Sequence, residues 1–192
     1  MKKRTAVIGA LLSLMPIGQT VLIGTGAVLT SAAVMLTVPE RAKAETSNSY
    51  FESGKIKYEK EDFYGAISDF NKAIDMNPNN AEYLYQRANA KFWIKDHRGS
   101  INDFTKAIEI DPSDSYFYKF RADSFFAIND YYAAISDYLK AIEITPTDAY
   151  SYYFMAKVKQ KIGDMKGACS DMRKASSFGD EDADPWLREN CQ

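Results

Sequence analysis

The 192-residue sequence contains one histidine and two cysteines, and this scarcity excludes several classes of protein. With His97 as its sole histidine, the chain has no histidine pair for a metal ion and no histidine base beside a nucleophile. Two cysteines are too few for the framework of a disulfide-rich miniprotein. We therefore predict a protein that is not an enzyme, with no catalytic residues, no metal site and no cofactor.

Basic charge is also scarce once the first 44 residues are set aside. Acidic side chains outnumber basic ones in the remainder, and no basic stripe is present. Affinity for nucleic acid depends on neutralising phosphates, so a nucleic-acid partner is excluded. The acidic run GDEDAD, residues 179–184, lacks the alternating ligands and the terminal Glu of a calcium loop, and we interpret it as a polar turn.

Charge is missing altogether from Thr5 to Pro39, between a basic KKR and a small-x-small pattern at Ala42 and Ala44. This order is typical of an export signal peptide. The uncharged run is also long enough to cross a hydrocarbon layer about 30 Å thick. Residues 1–44 are therefore predicted to be a signal peptide or an uncleaved N-terminal membrane anchor, and either places the rest of the chain across a membrane.

The sequence after Ala44 repeats itself every 34 residues without gaps. EDFYGAISDFNKAIDMNPNN, KDHRGSINDFTKAIEIDPSD and NDYYAAISDYLKAIEITPTD align directly, and GDMKGACSDMRKASSFGDED keeps the first part of the pattern. Apolar and small residues at spacings of three and four predict two amphipathic helices in each repeat.

This pattern resembles the tetratricopeptide repeat family. The family's order of a large residue, a small residue, Ala, an aromatic residue, Ala and Pro is present in repeat three as Tyr118, Ala122, Ala134, Tyr138, Ala141 and Pro146. The resemblance implies an all-α, right-handed solenoid of four helix-turn-helix hairpins. The expected repeats are residues 47–80, 81–114, 115–148 and 149–182, followed by a capping helix at 183–192.

Three sets of positions in the repeats carry further expectations. Lys95 replaces the family's usual Gly before a second helix, which predicts a looser turn. Lysines at a site that is often aromatic are expected to send their amines into water; they are Lys57, Lys91 and Lys159. One aspartate per repeat is expected on the solvated face of the second helix, at Asp69, Asp103, Asp137 and Asp171.

The resemblance also implies where a partner would bind. In this family the first helices line a concave groove, and the matching positions here are notably aromatic. The predicted groove consists of Phe51, Lys55, Tyr58, Tyr85, Asn89, Phe92, Trp93, Tyr116, Lys119, Asp123, Phe126, Tyr150, Tyr153, Lys157 and Gln160. Aromatic side chains are enriched at binding hot spots, although each ring could instead pack between helices.

Some members of the family clamp the C-terminal carboxylate of chaperones with basic and amide side chains. Asn89 stands at a clamp position, but Tyr85, Phe120 and Phe154 occupy places that the clamp would fill with polar or basic groups. We therefore expect a partner with apolar or aromatic side chains.

The end of the chain is predicted to form the solenoid's cap. Trp186 falls at the large core position of a fifth unit, with Asp184 as the expected N-cap and Pro185 as the first helical residue. Cys169 and Cys191 lie in elements that should pack together, so we expect a disulfide; two buried free thiols are the alternative.

The sequence as a whole predicts an exported interaction module, a scaffold or assembly factor that binds a protein or peptide partner. Resemblance to exported bacterial members of the family favours the periplasm or a thylakoid lumen. Two alternatives stay open: a non-catalytic subunit that positions an enzyme, and a solenoid that associates with a second copy of itself.

Overall fold

The computed structural model describes residues 21–23, 27–29 and 31–191, and the chain divides into two compact units, Met1–Glu45 and Thr46–Gln192. In the first unit, β1 (Val21–Ile23) pairs antiparallel with β2 (Ala27–Leu29). The basic residues 2–4 and much of the uncharged run lie outside the described residues. Within the described ranges, no helix has the length and apolar character needed to cross a membrane.

The second unit is helical, as the 34-residue period predicts. Its helices follow one another as antiparallel pairs, and α1 begins in the first unit. The bounds are α1 (Ser31–Glu59), α2 (Phe63–Met76), α3 (Ala81–Trp93), α4 (His97–Ile110), α5 (Ser115–Ala127), α6 (Tyr131–Ile144), α7 (Ala149–Lys161), α8 (Met165–Ser177) and α9 (Ala183–Asn190).

From α2 to α9 each helix packs on the next, and Phe51 of α1 contacts Phe70 of α2 with ring centroids 5.8 Å apart, which confirms the predicted all-α solenoid for this unit. The second helix of every repeat buries one large side chain completely, at Phe70, Phe104, Tyr138 and Met172. Alanines at matching sites are equally buried because the helix axes approach closely there; they include Ala66, Ala122, Ala134 and Ala156. Burial of these apolar side chains is the main stabilising contribution to the stack.

The turns inside the four hairpins share one geometry. The residue before each second-helix cap has a positive φ, at Glu61, Lys95, Asn129 and Gly163. The predicted looser turn at Lys95 is wrong: Asp96 N–H donates to the Lys91 carbonyl over 2.9 Å, as the equivalent groups do in the other repeats. Lys95 takes the left-handed conformation (φ 64°) itself, at a cost of about 1 kcal/mol relative to Gly.

The aspartates expected on the solvated face are buried, so that expectation is wrong. Asp69, Asp103, Asp137 and Asp171 are 0–7% exposed. Each forms an ion pair with a cation on the first helix of its own repeat, and these contacts are named here the inter-helix ion pairs. They join Lys57 to Asp69 (2.5 Å), Arg87 and Lys91 to Asp103 (2.6 and 2.7 Å), Arg121 to Asp137 (2.7 Å) and Lys159 to Asp171 (2.5 Å).

The same contacts correct the expectation for the three lysines. The amines of Lys57, Lys91 and Lys159 point to carboxylates twelve residues further along the chain rather than to water. In repeat three Phe125 occupies the lysine position, and Arg121, sixteen residues before Asp137, supplies the cation instead. A carboxylate removed from water needs a cation and hydrogen bonds, and this need explains the arrangement.

The predicted capping helix is present as α9, which packs on α8. Trp186 is 8% exposed, as expected for its core position. Cys169 and Cys191 form the predicted disulfide and enclose a loop with a sequence separation of 22 residues, which contributes about 3 kcal/mol by the loop-entropy estimate.

The start of α9 differs from the prediction. The helix begins at Ala183 with Asp182 as its N-cap residue, so Asp184 is not the cap. The fully buried Ala183 belongs to the helix's packed face, and the Asp184 carboxylate accepts a hydrogen bond from the Ser176 hydroxyl of α8 (2.6 Å).

Candidate functional site: an aromatic cavity on the first helices

The first helices of the repeats enclose a cavity of about 700 Å³, named here the aromatic cavity. Its walls come mainly from α3, α5 and α7, with contributions from α1 and α4. The lining residues are Tyr58, Tyr85, Gln86, Asn89, Phe92, Trp93, Phe104, Phe120, Asp123, Phe126, Ala127, Tyr150 and Phe154.

Helical spacing explains why these side chains converge. Tyr85, Asn89 and Phe92 are four and three residues apart on α3, so they share one face. Phe120 and Asp123 on α5 are three residues apart, and Tyr150 and Phe154 on α7 are four apart. Tyr150 and Phe154 also pack against the buried cluster that contains Tyr138, and Tyr85 packs against the one that contains Leu84, so the cavity wall is continuous with the core.

Trp93 forms one end of the cavity, and neighbouring side chains hold its ring in place. Trp93 Nε1 donates to the Tyr58 hydroxyl over 2.7 Å. The indole also stacks on Phe63 with a ring-centroid distance of 5.9 Å, and it meets the edge of Phe92 at 6.2 Å. Trp93 is nevertheless 59% exposed. A large ring that is fixed in position and still open to solvent is a preorganised contact surface.

Phe120 joins the rings at the middle of the cavity. Its ring centroid lies 5.9 Å from that of Tyr85, 6.0 Å from that of Tyr150 and 6.4 Å from that of Phe104. Phe104 reaches the cavity from α4, a second helix, because its fully buried ring passes between the first helices. The aromatic surface is therefore continuous from α3 to α7.

Asp123 is the charged group of this otherwise apolar wall. One carboxylate oxygen accepts a hydrogen bond from the Tyr138 hydroxyl, and the other accepts from the Tyr150 hydroxyl over 2.6 Å. Burial raises the pKa of Asp123 to about 6, even though the two tyrosines and the nearby Lys119 favour its ionised form. Asp123 is thus a carboxylate above pH 6 and a neutral acid below it.

The tyrosines around the cavity stay neutral at physiological pH. Burial raises the pKa of Tyr85 to about 12. Burial and the Asp123 carboxylate raise the pKa values of Tyr138 and Tyr150 further above the ordinary range. Their hydroxyls remain hydrogen-bond donors.

The structure places part of the predicted groove on the cavity wall. The predicted residues that line it are Tyr58, Tyr85, Asn89, Phe92, Trp93, Asp123, Phe126 and Tyr150. The predicted residues that do not line it are Phe51, Lys55, Tyr116, Lys119, Tyr153, Lys157 and Gln160.

Core packing and local pairing account for those that lie elsewhere. Phe51 is 7% exposed and packs on the Tyr83 ring at 4.6 Å, so it is a core residue. Lys119 is 8% exposed and pairs with Asp148 (3.3 Å).

Further along the stack, the Gln160 side chain donates to Asn190 of α9 (3.4 Å). The amines of Lys55 and Lys157 lie over the neighbouring rings of Phe51 and Tyr153. Tyr116 is 52% exposed, stacked against Phe120 outside the cavity.

The predicted groove residues do not include Gln86, Phe104, Phe120, Ala127 and Phe154. Phe120 and Phe154 were nevertheless identified from the sequence at clamp positions, and the structure places both on the cavity wall. Phe104 could not be identified, because its position in the repeat predicts core burial alone.

The described residues contain no group of three or more His, Cys, Asp or Glu side chains that could hold a metal ion. The cavity wall presents ring surface, tyrosine hydroxyls, two amides and one carboxylate.

Comparison with known proteins agrees with the repeat pattern. A family model described as tetratricopeptide repeat matches residues 47–80 and 81–114, and one described as TPR repeat matches residues 122–163. No curated protein matches the chain.

Solved structures with the same architecture include a crystal structure of MamA, which is 28% identical over 70% of this chain and 73% of its own, with a TM-score of 0.66. The first TPR domain of Spaghetti (RPAP3), bound to the HSP90 peptide SRMEEVD, is 22% identical over 62% of this chain and 95% of its own (TM-score 0.61). The Arabidopsis OM64 TPR domain is 24% identical over 62% of this chain and 98% of its own (TM-score 0.61). The last two similarities establish the fold alone.

Proposed function

Because this chain belongs to the tetratricopeptide repeat family, we propose that it is a non-catalytic interaction module that holds a peptide or helical segment of a partner protein in the aromatic cavity. The observation that carries the proposal is the cavity itself. Its volume of about 700 Å³ and its continuous ring surface suit several inserted side chains.

The arrangement of Trp93 supports the choice of this surface. Its hydrogen bond to Tyr58 and its stacking on Phe63 fix the ring before any partner arrives. A fixed aromatic side chain loses little conformational entropy on binding, so its buried area contributes more fully to affinity.

The segment that binds here differs in chemistry from the peptide in the RPAP3 domain. That peptide, SRMEEVD, carries three acidic residues at its end. Among the residues that line the aromatic cavity in the described part of the chain, none is Lys, Arg or His. An acidic terminus would meet rings and the Asp123 carboxylate instead of cations, so we propose a partner segment with apolar and aromatic side chains.

We also propose that the module acts on the far side of a membrane, in a periplasm or a thylakoid lumen. The order of charges in residues 1–44 supports this location, and so does the Cys169–Cys191 disulfide, because such bonds persist in oxidising compartments. N-terminal sequencing of the mature protein tests it, and recovery of an intact N-terminus from the cytoplasmic fraction would contradict it.

A pair of single substitutions tests the cavity. Trp93→Ala removes the exposed ring at the cavity's end and should weaken partner binding by at least about tenfold. Tyr132→Ala is the matched control, since Tyr132 is 78% exposed and does not line the cavity. Proteins captured by the wild-type domain should be lost with the first variant and kept with the second. Equal capture by all three proteins would show that the partner binds elsewhere.

A further inference from the structure

The aromatic cavity has an unusual charge pattern. Among the described residues that line the cavity, Asp123 is the one that is charged at neutral pH. Its pKa is about 6, so the carboxyl is ionised at pH 7. The remaining walls are rings, the amide side chains of Gln86 and Asn89, and Ala127. A single carboxylate set in an apolar wall produces a strong local field, because little water screens it.

The carboxylate of Asp123 has capacity for another donor. Tyr138 occupies one oxygen and Tyr150 the other. An ionised carboxylate offers about four lone-pair positions, so two donors leave room for more. Both present donors are neutral, and neither compensates the negative charge.

The neighbouring cation is committed to other groups. Lys119 Nζ pairs with Asp148 at 3.3 Å and lies 4.2, 5.2 and 5.8 Å from the ring centres of Tyr116, Tyr150 and Phe120. Lys119 acts on Asp123 only through space. Asp123 therefore differs from the aspartates of the inter-helix ion pairs, each of which contacts a cation directly.

The rings around Asp123 are also suited to positive charge. The Lys119 amine already lies over the rings of Phe120 and Tyr150, and Phe126 and Phe154 line the same cavity. The faces of aromatic rings attract ammonium and guanidinium groups, more strongly when water is excluded. A carboxylate among ring faces is the combination that selects a long side chain with an apolar stem and a cationic end.

We propose that the aromatic cavity binds a partner segment in which a lysine or arginine lies between apolar side chains, with its cation directed at Asp123. This inference rests on the proposed function and specifies the chemistry of the segment. The apolar neighbours occupy the ring surface towards Trp93, while the cation supplies the charge that Asp123 lacks. Charge complementarity is the argument for this occupant over an acidic or purely apolar one.

The proposal implies that binding depends on pH. The titratable and charged groups around Asp123 are Lys119 on its own helix, Tyr138 from α6, and Tyr150 and Asp148 at α7. Within this set, three groups have a raised pKa: Asp123 itself, Tyr138 and Tyr150. The pKa values of the two tyrosines lie above pH 7.5, so of the three only Asp123 changes its charge between pH 5 and pH 7.5. Protonation removes the negative charge, so affinity for a cation should fall as the pH falls through about 6.

The test uses the full domain and blocked synthetic nonapeptides with apolar and aromatic flanks. The central residue is lysine, arginine, norleucine or glutamate, and affinity is measured by fluorescence anisotropy. We expect lysine and arginine peptides to bind about tenfold more tightly than the norleucine peptide at pH 7.5. Asp123→Asn should abolish this preference, and Asp75→Asn, which changes an exposed carboxyl outside the cavity, should keep it.

A second measurement separates the charge effect from a change in fold. The preference of wild-type protein for the lysine peptide should fall by on the order of tenfold between pH 7.5 and pH 5, where about a tenth of a carboxyl with this pKa remains ionised. Affinity for the norleucine peptide should stay constant over that range. Far-ultraviolet circular dichroism of Asp123→Asn should match that of the wild type.

The outcomes distinguish this inference from the proposed function. If the norleucine peptide binds as tightly as the lysine peptide and Trp93→Ala weakens both, the cavity binds peptides but the inference is overturned. If free N-acetyl-lysine methylamide binds as tightly as the lysine peptide, the site takes a small cation and the inference is also overturned. If no peptide binds, or if Trp93→Ala changes nothing, the proposed function fails with it.

Discussion

The aspartates of the inter-helix ion pairs and the aspartate of the aromatic cavity have opposite kinds of partner. In the ion pairs, Asp103 is fully buried and contacts both Arg87 and Lys91 within 2.7 Å. In the cavity, Asp123 receives hydrogen bonds from two neutral tyrosines and no direct cation contact among its described partners. The first carboxylates are neutralised within the fold, whereas the second keeps its charge in an apolar surrounding.

This difference indicates two roles for the same kind of side chain. A neutralised carboxylate fixes one helix against another, and removing its partner is strongly destabilising because a buried charge is left unpaired. An uncompensated carboxylate costs stability whenever it is ionised, so its position calls for a benefit outside the folded domain. Under the proposed binding mode, aspartate serves helix packing in the inter-helix ion pairs and partner recognition at Asp123.

The largest expected effect on stability comes from breaking one of the inter-helix ion pairs. Arg121→Met leaves the buried Asp137 carboxylate without the arginine that contacts it at 2.7 Å, and should lower the free energy of unfolding by about 4 kcal/mol. Urea denaturation followed by circular dichroism measures the change. The double variant with Asp137→Asn is the control, since removing the charge should restore much of the lost stability. A loss below about 0.5 kcal/mol would mean that Arg121 is dispensable.

An intermediate effect concerns the carboxylate without a direct cation. The pKa of Asp123 is about 6 in the fold against an ordinary value near 3.8, so its contribution to stability is complete below about pH 4 and is lost as the pH rises through 6. Relative to Asp123→Asn, wild-type stability should decline by on the order of 2 kcal/mol between pH 4 and pH 7.5. Urea titrations of both proteins across this range measure it. If the unfolding free energies of the two proteins changed in parallel with pH, the negative charge of Asp123 would be neutralised within the fold.

The smallest effect has the opposite sign. Burial alone would raise the pKa of Asp69, but hydrogen bonds from Lys57, Ser53 and Lys72 hold that pKa at about 2. The stability gained from this group is present above about pH 4 and is lost as the pH falls through 2.

Asp69→Asn should therefore destabilise the domain by about 1 kcal/mol at neutral pH, a modest value because both lysines are partly exposed. The difference from the wild type should shrink on acidification, again by urea denaturation. A difference that grows on acidification would reverse the assignment.

Much of the fold and part of the groove could be predicted from the sequence, but the ion pairing of the buried aspartates could not. The period of 34 residues predicted the hairpins, the small residues at Ala122 and Ala134, the capping helix and the disulfide. These features follow from the spacing of residues along the chain, which can be read directly from the sequence. The family's use of its first helices likewise placed Tyr85, Trp93 and Asp123 in the predicted groove.

The residues whose predicted environment was wrong are those that pair with side chains on other helices. Asp103 falls outside the apolar stripe, and periodicity alone therefore predicted it in water; its burial follows only from the two cations that reach it from α3. A basic residue twelve or sixteen positions before each such aspartate was the available signal. Phe51 and Lys119 share the groove spacing, but neighbouring rings and carboxylates bury them.

The disulfide that links α8 to the end of α9 affects how the stack opens. Each repeat contacts only its neighbours, so a solenoid ordinarily unravels by fraying from a terminal helix inward. The Cys169–Cys191 bond prevents α9 from peeling away alone and keeps Trp186 near the face that it covers. We therefore expect amide hydrogen exchange in α9 to follow that in α8, so that the last two helices open together.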